Sequence, residues 1–168
     1  MPLEIERKFL LPEMPVLSAE EEGKLQFRTE HRIEQTYLAM DSNQELRVRR
    51  IIDLDTNEMT FTHTFKKGNG LSREEIEYSI SEEIYDQIVQ AFDAIPLTKN
   101  RITAVWEDTV IEIDYYDQVE LIVVEVEFDS LEEANAFVAP HWFGKDISAE
   151  KQYSNKKVWK DLQEQFSE

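Results

Sequence analysis

The chain has no cysteine, so disulfides and thiolate metal sites are excluded from the outset. Its longest apolar runs, such as LIVVEV, are strand-sized and fall well short of the roughly 20 residues a membrane-spanning helix needs. The first residues lack the basic, apolar, then small pattern of a secretory signal. Basic residues are scarce: 18 Lys and Arg stand against 36 Asp and Glu, a net charge of −18, which argues against nucleic acid as a general partner. Histidine is scarce too, with only His31, His63 and His141. No internal repeat, low-complexity run or linker divides the 168 residues. A single domain spanning 1–168 is expected, cytoplasmic and not membrane-bound, with a homodimer left open.

What is present is a folded composition, 41% hydrophobic and 11% aromatic, with an uneven charge distribution. Residues 1–101 hold 13 basic against 20 acidic side chains, whereas residues 102–168 hold 5 against 16. Eight of the basic residues lie between Arg47 and Arg101.

Most of the chain reads as short strands with period-two patterning. LEIERKFLL (3–11) opens it. Ser18-Ala-Glu-Glu21 is a capping box that predicts a short helix to about His31. RIEQTYLAM and QELRVRRII flank Asp41-Ser42-Asn43 as one hairpin, and MTFTHTFK and SREEIEYSI flank Lys67-Gly68-Asn69-Gly70 as another. Ser81 caps a predicted helix to about Ile95, stopped by Pro96. KNRITAVWED, TVIEIDYYD and QVELIVVEVEF follow as strands. Ser130-Leu-Glu-Glu133 opens a helix that Pro140 ends, and Val158, Trp159, Leu162 and Phe166 share helical spacing in the last segment. About eight strands in successive hairpins predict an α+β fold, an antiparallel sheet closed into a barrel with helices outside.

One face recurs along these strands. Glu4, Glu6 and Lys8 alternate with Ile5, Arg7 and Phe9, so the three charges share a side. Arg47 and Arg49, Glu75 and Glu77, Lys99 and Arg101, Glu112 and Asp114, and Glu125 and Glu127 repeat the pattern, and Lys66 shares a face with Thr60, Thr62 and Thr64. A solvated face accounts for any one strand. It does not account for like charges at i and i+2, which repel. Turned inward, these faces make a tunnel with basic and acidic walls. Arg and Lys there suit several phosphate charges. Carboxylates beside phosphates require a divalent cation between them, and without cysteine that is Mg²⁺ or Mn²⁺ rather than zinc. The chemistry implied is metal-assisted phosphoryl transfer.

At these residues the sequence resembles the CYTH superfamily, the triphosphate tunnel metalloenzymes, whose opening ExExK strand is matched by Glu4, Glu6 and Lys8. The likeness continues in order through QTYL, LRVRR, FKKGNGLSREEIE, KNR, IEIDYY, VEVEF and DISAEKQYSNKKV. The resemblance implies an eight-stranded antiparallel barrel whose tunnel binds a small-molecule triphosphate. It implies metal binding by Glu4, Glu6, Asp114, Glu125 and Glu127, and phosphate binding by Lys8, Arg47, Arg49, Lys66, Lys99 and Arg101. Catalytic roles fall to Lys8, Tyr37, Glu75 and Glu77, with Lys8 paired to Tyr37. Lys66 or Lys67 is the phosphate ligand, strand parity favouring Lys66. Glu112 is expected to be solvated or to support other ligands. Lys151 and Tyr153 match a late family motif, with a functional and a structural role both open. Arg7, Arg50 and Arg73 are expected to be solvated or salt-bridged, His63 to pack outside the tunnel, and Trp106, Trp142 and Trp159 to pack in the core. The reading is hydrolysis of a triphosphate, most simply inorganic tripolyphosphate. The alternatives are an adenylyl cyclase of the same fold, a thiamine triphosphatase, and a non-catalytic binder of polyphosphate or nucleotide.

Overall fold

Period-two patterning and turn chemistry build the sheet strand by strand. The structure, a computed structural model, describes residues 3–14 and 18–166, and the side chains of Ala19, Glu20 and Phe166 fall outside that description. In chain order the elements are β1 (Leu3–Leu10), α1 (Ala19–Glu22), β2 (Leu25–Met40), β3 (Gln44–Asp53), β4 (Met59–Lys67), β5 (Ser72–Ser79), α2 (Glu82–Phe92), β6 (Leu97–Trp106), β7 (Thr109–Tyr116), β8 (Ile122–Glu127), α3 (Leu131–Ala136) and α4 (Asn155–Phe166). In the β2–β3 turn, Asp41 Oδ1 accepts the N–H groups of Asn43 and Gln44, both at 2.8 Å. In the β4–β5 turn, Gly68 and Gly70 take φ values of 117° and 85°, open to glycine at little cost.

All neighbours are antiparallel, and the order β1-β5-β4-β3-β2-β6-β7-β8 closes on itself. Closure removes the edges and gives every strand an inner and an outer face. The outer faces carry two apolar clusters. Phe9, Ile102, Ala104, Ile111, Ile113, Val124 and Val126 are covered by Phe137, Trp142 and Phe143, and Val48 and Phe61 are covered by Tyr85 of α2. Trp142 meets Trp106 edge-on at 5.3 Å, so both fill the packing role expected of them.

A third cluster sits inside. Leu97, Tyr116 and Val123 have the strand parity of Lys99, Asp114 and Glu125, and pack with Ile147, Val158 and Leu162. The last helix therefore plugs the barrel end where β6 and β8 begin and β7 stops. Residues 144–148 lie along β1 where β5 has turned away, β5 pairing only with Leu3, Glu4 and Ile5. Gly144 N–H donates to Leu10 O at 2.7 Å and Ile147 N–H to Lys8 O at 2.8 Å. A Cβ on Gly144 would lie 2.5 Å from the Leu10 carbonyl oxygen, so that position needs glycine.

Three boundaries differ from the sequence reading. The capping box at Ser18 forms, but its helix ends at Glu22, not near His31. Gly23 stops it, and Leu25 to His31 joins β2 because β6 offers a ladder there, from Leu25 opposite Trp106 to His31 opposite Arg101, broken only by a bulge at Arg28. The second helix stops at Phe92 rather than Ile95, where Asp93 turns left-handed at φ 45°. The third stops at Ala136, ahead of Pro140. The Phe166 position of the last helical pattern lies beyond the described side chains. No helix among the described residues is long and apolar enough to cross a membrane.

Leu162, 1% exposed, is the test of the plug. Leu162→Ala should lower unfolding free energy by about 2–5 kcal/mol in a urea titration, the range for a buried leucine that leaves a cavity. A loss within the error of the titration would show that α4 does not close the barrel.

Candidate active site

The inner faces enclose a cavity of about 680 Å³. Glu4, Glu6 and Lys8 reach it from β1, Tyr37 from β2, Arg47 and Arg49 from β3, Lys66 from β4, and Glu75 and Glu77 from β5. Arg101 comes from β6 and Glu125 and Glu127 from β8. Every site residue expected from the sequence lines the cavity except Lys99 and Asp114, which lie beneath its wall with fully buried side chains. Between the two lysines at the β4 end, Lys66 is buried in the chamber while Lys67 is exposed.

The carboxylates divide into two groups. Glu4, Glu6 and Glu127 each present an oxygen within 4.8 Å of the others. Burial and the nearby Glu125 push the Glu6 carboxyl up to about 8, against the pull of Lys66. Burial acts on Glu4 in the same sense, but Lys66 and a hydrogen bond from Glu75 outweigh it and hold Glu4 down at about 2. Glu127 is raised by burial and by Glu112 and Glu4. Three oxygens this close, two of them held above the ordinary carboxylate range, fit a hard divalent cation, which would relieve their repulsion. Asp114 belongs to the second group. Its oxygens accept from Arg101 Nε at 2.8 Å and Nη2 at 2.9 Å, and Lys99 Nζ lies 2.8 Å from Oδ2. Burial opposes its ionisation, but the two cations hold it far below the ordinary range. In the structure Asp114 holds Arg101 and Lys99 and stands outside the Glu4–Glu6–Glu127 group. Glu125, 3.7 Å from Arg101, leans the same way.

The cations divide similarly. Lys66 contacts Glu4 at 2.9 Å and Glu75 at 3.3 Å. Arg101 is saturated by Asp114 and by Glu112 at 2.9 Å. Lys99 shares Asp114 with Arg101, so burial wins and pushes its ammonium down to about 7. Arg47 and Arg49 are different. They are 4% and 6% exposed, and neither makes an ion pair with a described carboxylate. Arg49 Nε donates to Gln35 Oε1 at 2.9 Å, while Arg47 Nε is buried without a hydrogen-bond partner. Burial, then Arg47 and Arg101, press Arg49 down to about 10. Arg47 differs: burial opposes its charge, but Tyr37 and Glu45 outweigh that and hold its guanidinium above the ordinary range. Arg49, pressed down by burial and by its cationic neighbours with no ion pair of its own, is the stronger demand for anionic charge.

Lys8 Nζ donates to the Tyr153 carbonyl at 2.7 Å, not to Tyr37, which corrects the expected pair. Tyr37 sits opposite Arg47 across β2 and β3, and burial drives its hydroxyl up to about 12. Trp159 packs on Tyr37 with ring centroids 5.5 Å apart, and Tyr116 and Asn155 share a hydrogen bond, so α4 is anchored to the chamber. Arg7 pairs with Asp146 and His63 stacks on Tyr78, both away from the cavity as expected.

Sequence reasoning passed over Glu45 and Gln35, while Arg73 is salt-bridged and Glu112 supports Arg101 as expected. Arg73 bridges Glu45 at 2.7 Å and Glu4 at 3.6 Å, and Glu112, expected in a lesser role, holds Arg101. Arg73 has the parity of Glu75 and Glu77, and Glu45 that of Arg47, so the alternation already marked both. Gln35, two residues before Tyr37, is fully buried and orients Arg49.

Residues 2–158 match the CYTH domain family. The chain belongs to that family. An inorganic triphosphatase of Nitrosomonas europaea is 32% identical over 157 residues, covering 91% of this chain and 94% of that one. The crystal structure of the inorganic triphosphatase NE1496 superimposes with a TM-score of 0.60 at 28% identity over 95% of each chain. The PH1819 protein of Pyrococcus horikoshii, at 16% identity and a TM-score of 0.56 over 79% of this chain and 82% of that one, shares the fold.

In this CYTH barrel the raised Glu6 has a consequence for stability. Its folded form keeps a proton that the unfolded chain releases near the ordinary 4.5, so between there and about 8 the native state binds more protons and stability falls as pH rises. Glu4, held low, works oppositely: its contribution is present above 4.5 and lost as pH falls toward 2. Metal-free protein should therefore lose thermal stability from about pH 5 to pH 8, with a shallower decline in Glu6→Gln. Identical slopes in the two proteins, followed by calorimetry in EDTA, would contradict the placement of Glu6.

Proposed function

We propose that this protein is a divalent-metal-dependent triphosphatase whose simplest substrate is inorganic tripolyphosphate, with Mg²⁺ or Mn²⁺ as the metal. The observation that carries the reading is that Arg47 and Arg49, both buried and neither in an ion pair among the described residues, share one chamber with the Glu4–Glu6–Glu127 group. A phosphate chain matches the first and a cation the second. The related inorganic triphosphatase of Nitrosomonas europaea supports the choice of substrate.

In this reading Arg47 and Arg49 grip the phosphate chain, and Lys8, Lys66 and Arg101 complete the cationic wall. Asp114 fixes the plane of the Arg101 guanidinium in the wall beside the phosphate chain. The metal, held by Glu4, Glu6 and Glu127, when bound supplies Lewis-acid polarisation of a phosphoryl oxygen and neutralises charge. Glu75 is raised by burial and by the hydrogen bond it donates to Glu4, so once it has given up that proton it can take one from the attacking water, with Glu77 beside it on the same face. Tyr37, protonated at neutral pH, donates to a phosphate oxygen rather than acting as a base. Water adds its hydroxyl to the terminal phosphorus, the bridging P–O bond breaks, and the proton leaves with the products, orthophosphate and diphosphate. Positioning and charge compensation supply most of the acceleration.

Incubation with tripolyphosphate, ATP and thiamine triphosphate, each with Mg²⁺, Mn²⁺ or EDTA, tests the reading. Orthophosphate released from tripolyphosphate only with metal is the expected result. Cyclic AMP with diphosphate would make it a cyclase, and binding without turnover a non-catalytic module. Arg49→Ala should raise KM by roughly 10- to 100-fold, as loss of a charge-assisted contact does. Glu4→Gln should lower turnover, with partial recovery in excess Mn²⁺. Wild-type kinetics in both variants would rule out this chamber as the active site.

A further inference from the structure

The rim of the chamber differs in charge from the rest of the molecule. Of the five basic residues after Arg101, four (Lys151, Lys156, Lys157 and Lys160) line the cavity. The fifth, Lys145, pairs with Glu150 and stays outside it. In a chain of net charge −18, chance would not gather them there. Lys156 Nζ is held by the Asp41 carbonyl at 2.9 Å and Lys157 by Asp161 at 2.7 Å. Lys151 and Lys160 are exposed and make no ion pair among the described residues.

These lysines sit on or just ahead of α4, at the barrel end where Val123 and Tyr116 meet the plug. The opposite end is acidic. Glu127 lies four residues further along β8, roughly 13 Å away at the usual strand rise, and Glu112 four residues back along β7. Glu127 is exposed to solvent there. A polyanion approaching a molecule of this net charge is repelled on average, and over the ~8–10 Å that salt permits, only a local positive surface can draw it in.

We infer that the exposed pair Lys151 and Lys160 forms a capture rim through which the phosphate chain reaches Arg47 and Arg49. The inference rests on the triphosphatase reading and adds the route by which that site is loaded. The rim lysines touch the substrate on its way in, so they govern capture and not the bond-breaking step. Rim charges of this kind alter association rate and its salt dependence.

The test compares Lys151→Glu/Lys160→Glu with Lys24→Glu/Lys145→Glu, which changes net charge equally at sites outside the cavity. With tripolyphosphate and Mg²⁺, the rim variant should lose about tenfold or more in kcat/KM at low salt, the scale of electrostatic steering, with kcat at saturation retained. The deficit should shrink as ionic strength rises. Stopped-flow fluorescence of Trp159, which packs on Tyr37 in the chamber, should show the loss in the association rate. Equal kinetics in the rim and control variants would overturn the inference while wild-type hydrolysis leaves the triphosphatase reading standing. A wild-type protein that neither binds nor hydrolyses tripolyphosphate would overturn both.

Discussion

A charged side chain turned into the lumen of a closed barrel must find its counter-charge inside that lumen. The arrangement of this chamber follows from that constraint. Asp114 balances Arg101 and Lys99, Glu4 and Glu75 balance Lys66, and Glu45 balances Arg73. What the internal pairs leave over has a definite place: Arg47 and Arg49 on β3, and Glu6 with Glu127 on β1 and β8. Surplus charge of both signs, held apart by the barrel wall, defines where ligands of opposite sign belong. A wholly paired lumen would be a structural network and nothing more.

The inversion of polarity also shapes the rest of the fold. In most antiparallel sheets the apolar face forms the core and the polar face is wet. Here the polar face is enclosed, so the apolar faces need cover from outside. Tyr85 of α2 and the 137–143 segment provide it. The last helix does two things at once. Val158 and Leu162 plug the lumen with an apolar floor, and its lysines face the cavity from the same element. Anchoring through Trp159 against Tyr37 ties that helix to the wall on which Arg47 stands.

The alternation of charged and apolar residues made the barrel, its inward charges and most of the chamber legible in the sequence, because strand parity is a strictly local property. It turned Lys66 into the chamber and Lys67 out of it for the same reason. Local signals failed where they competed with distant ones. The capping box at Ser18 is real, yet its helix yields after one turn to a bulged ladder with β6 that only the closed sheet supplies. Arg73 and Glu45 were marked by parity, but their importance depends on a contact across two strands, which no spacing reveals. The Lys8 contact with the Tyr153 carbonyl depends on where the final segment folds back, 145 residues later.

Asp114 shows how a resemblance and a structure divide the work. A motif places a carboxylate on the correct strand face, and parity alone cannot say whether it serves a metal or another side chain. Depth decides. Its side chain is wholly buried, and Arg101 and Lys99 take both its oxygens. Breaking a buried pair of this kind costs about 3–5 kcal/mol, because the charges left behind cannot be rehydrated. Glu6 lies at the other extreme. It stands beside Glu4 and Glu127, and burial and Glu125 keep its carboxyl protonated to about 8. Two inward-facing carboxyl groups thus differ in state because cations answer the charge of one and carboxylates surround the other.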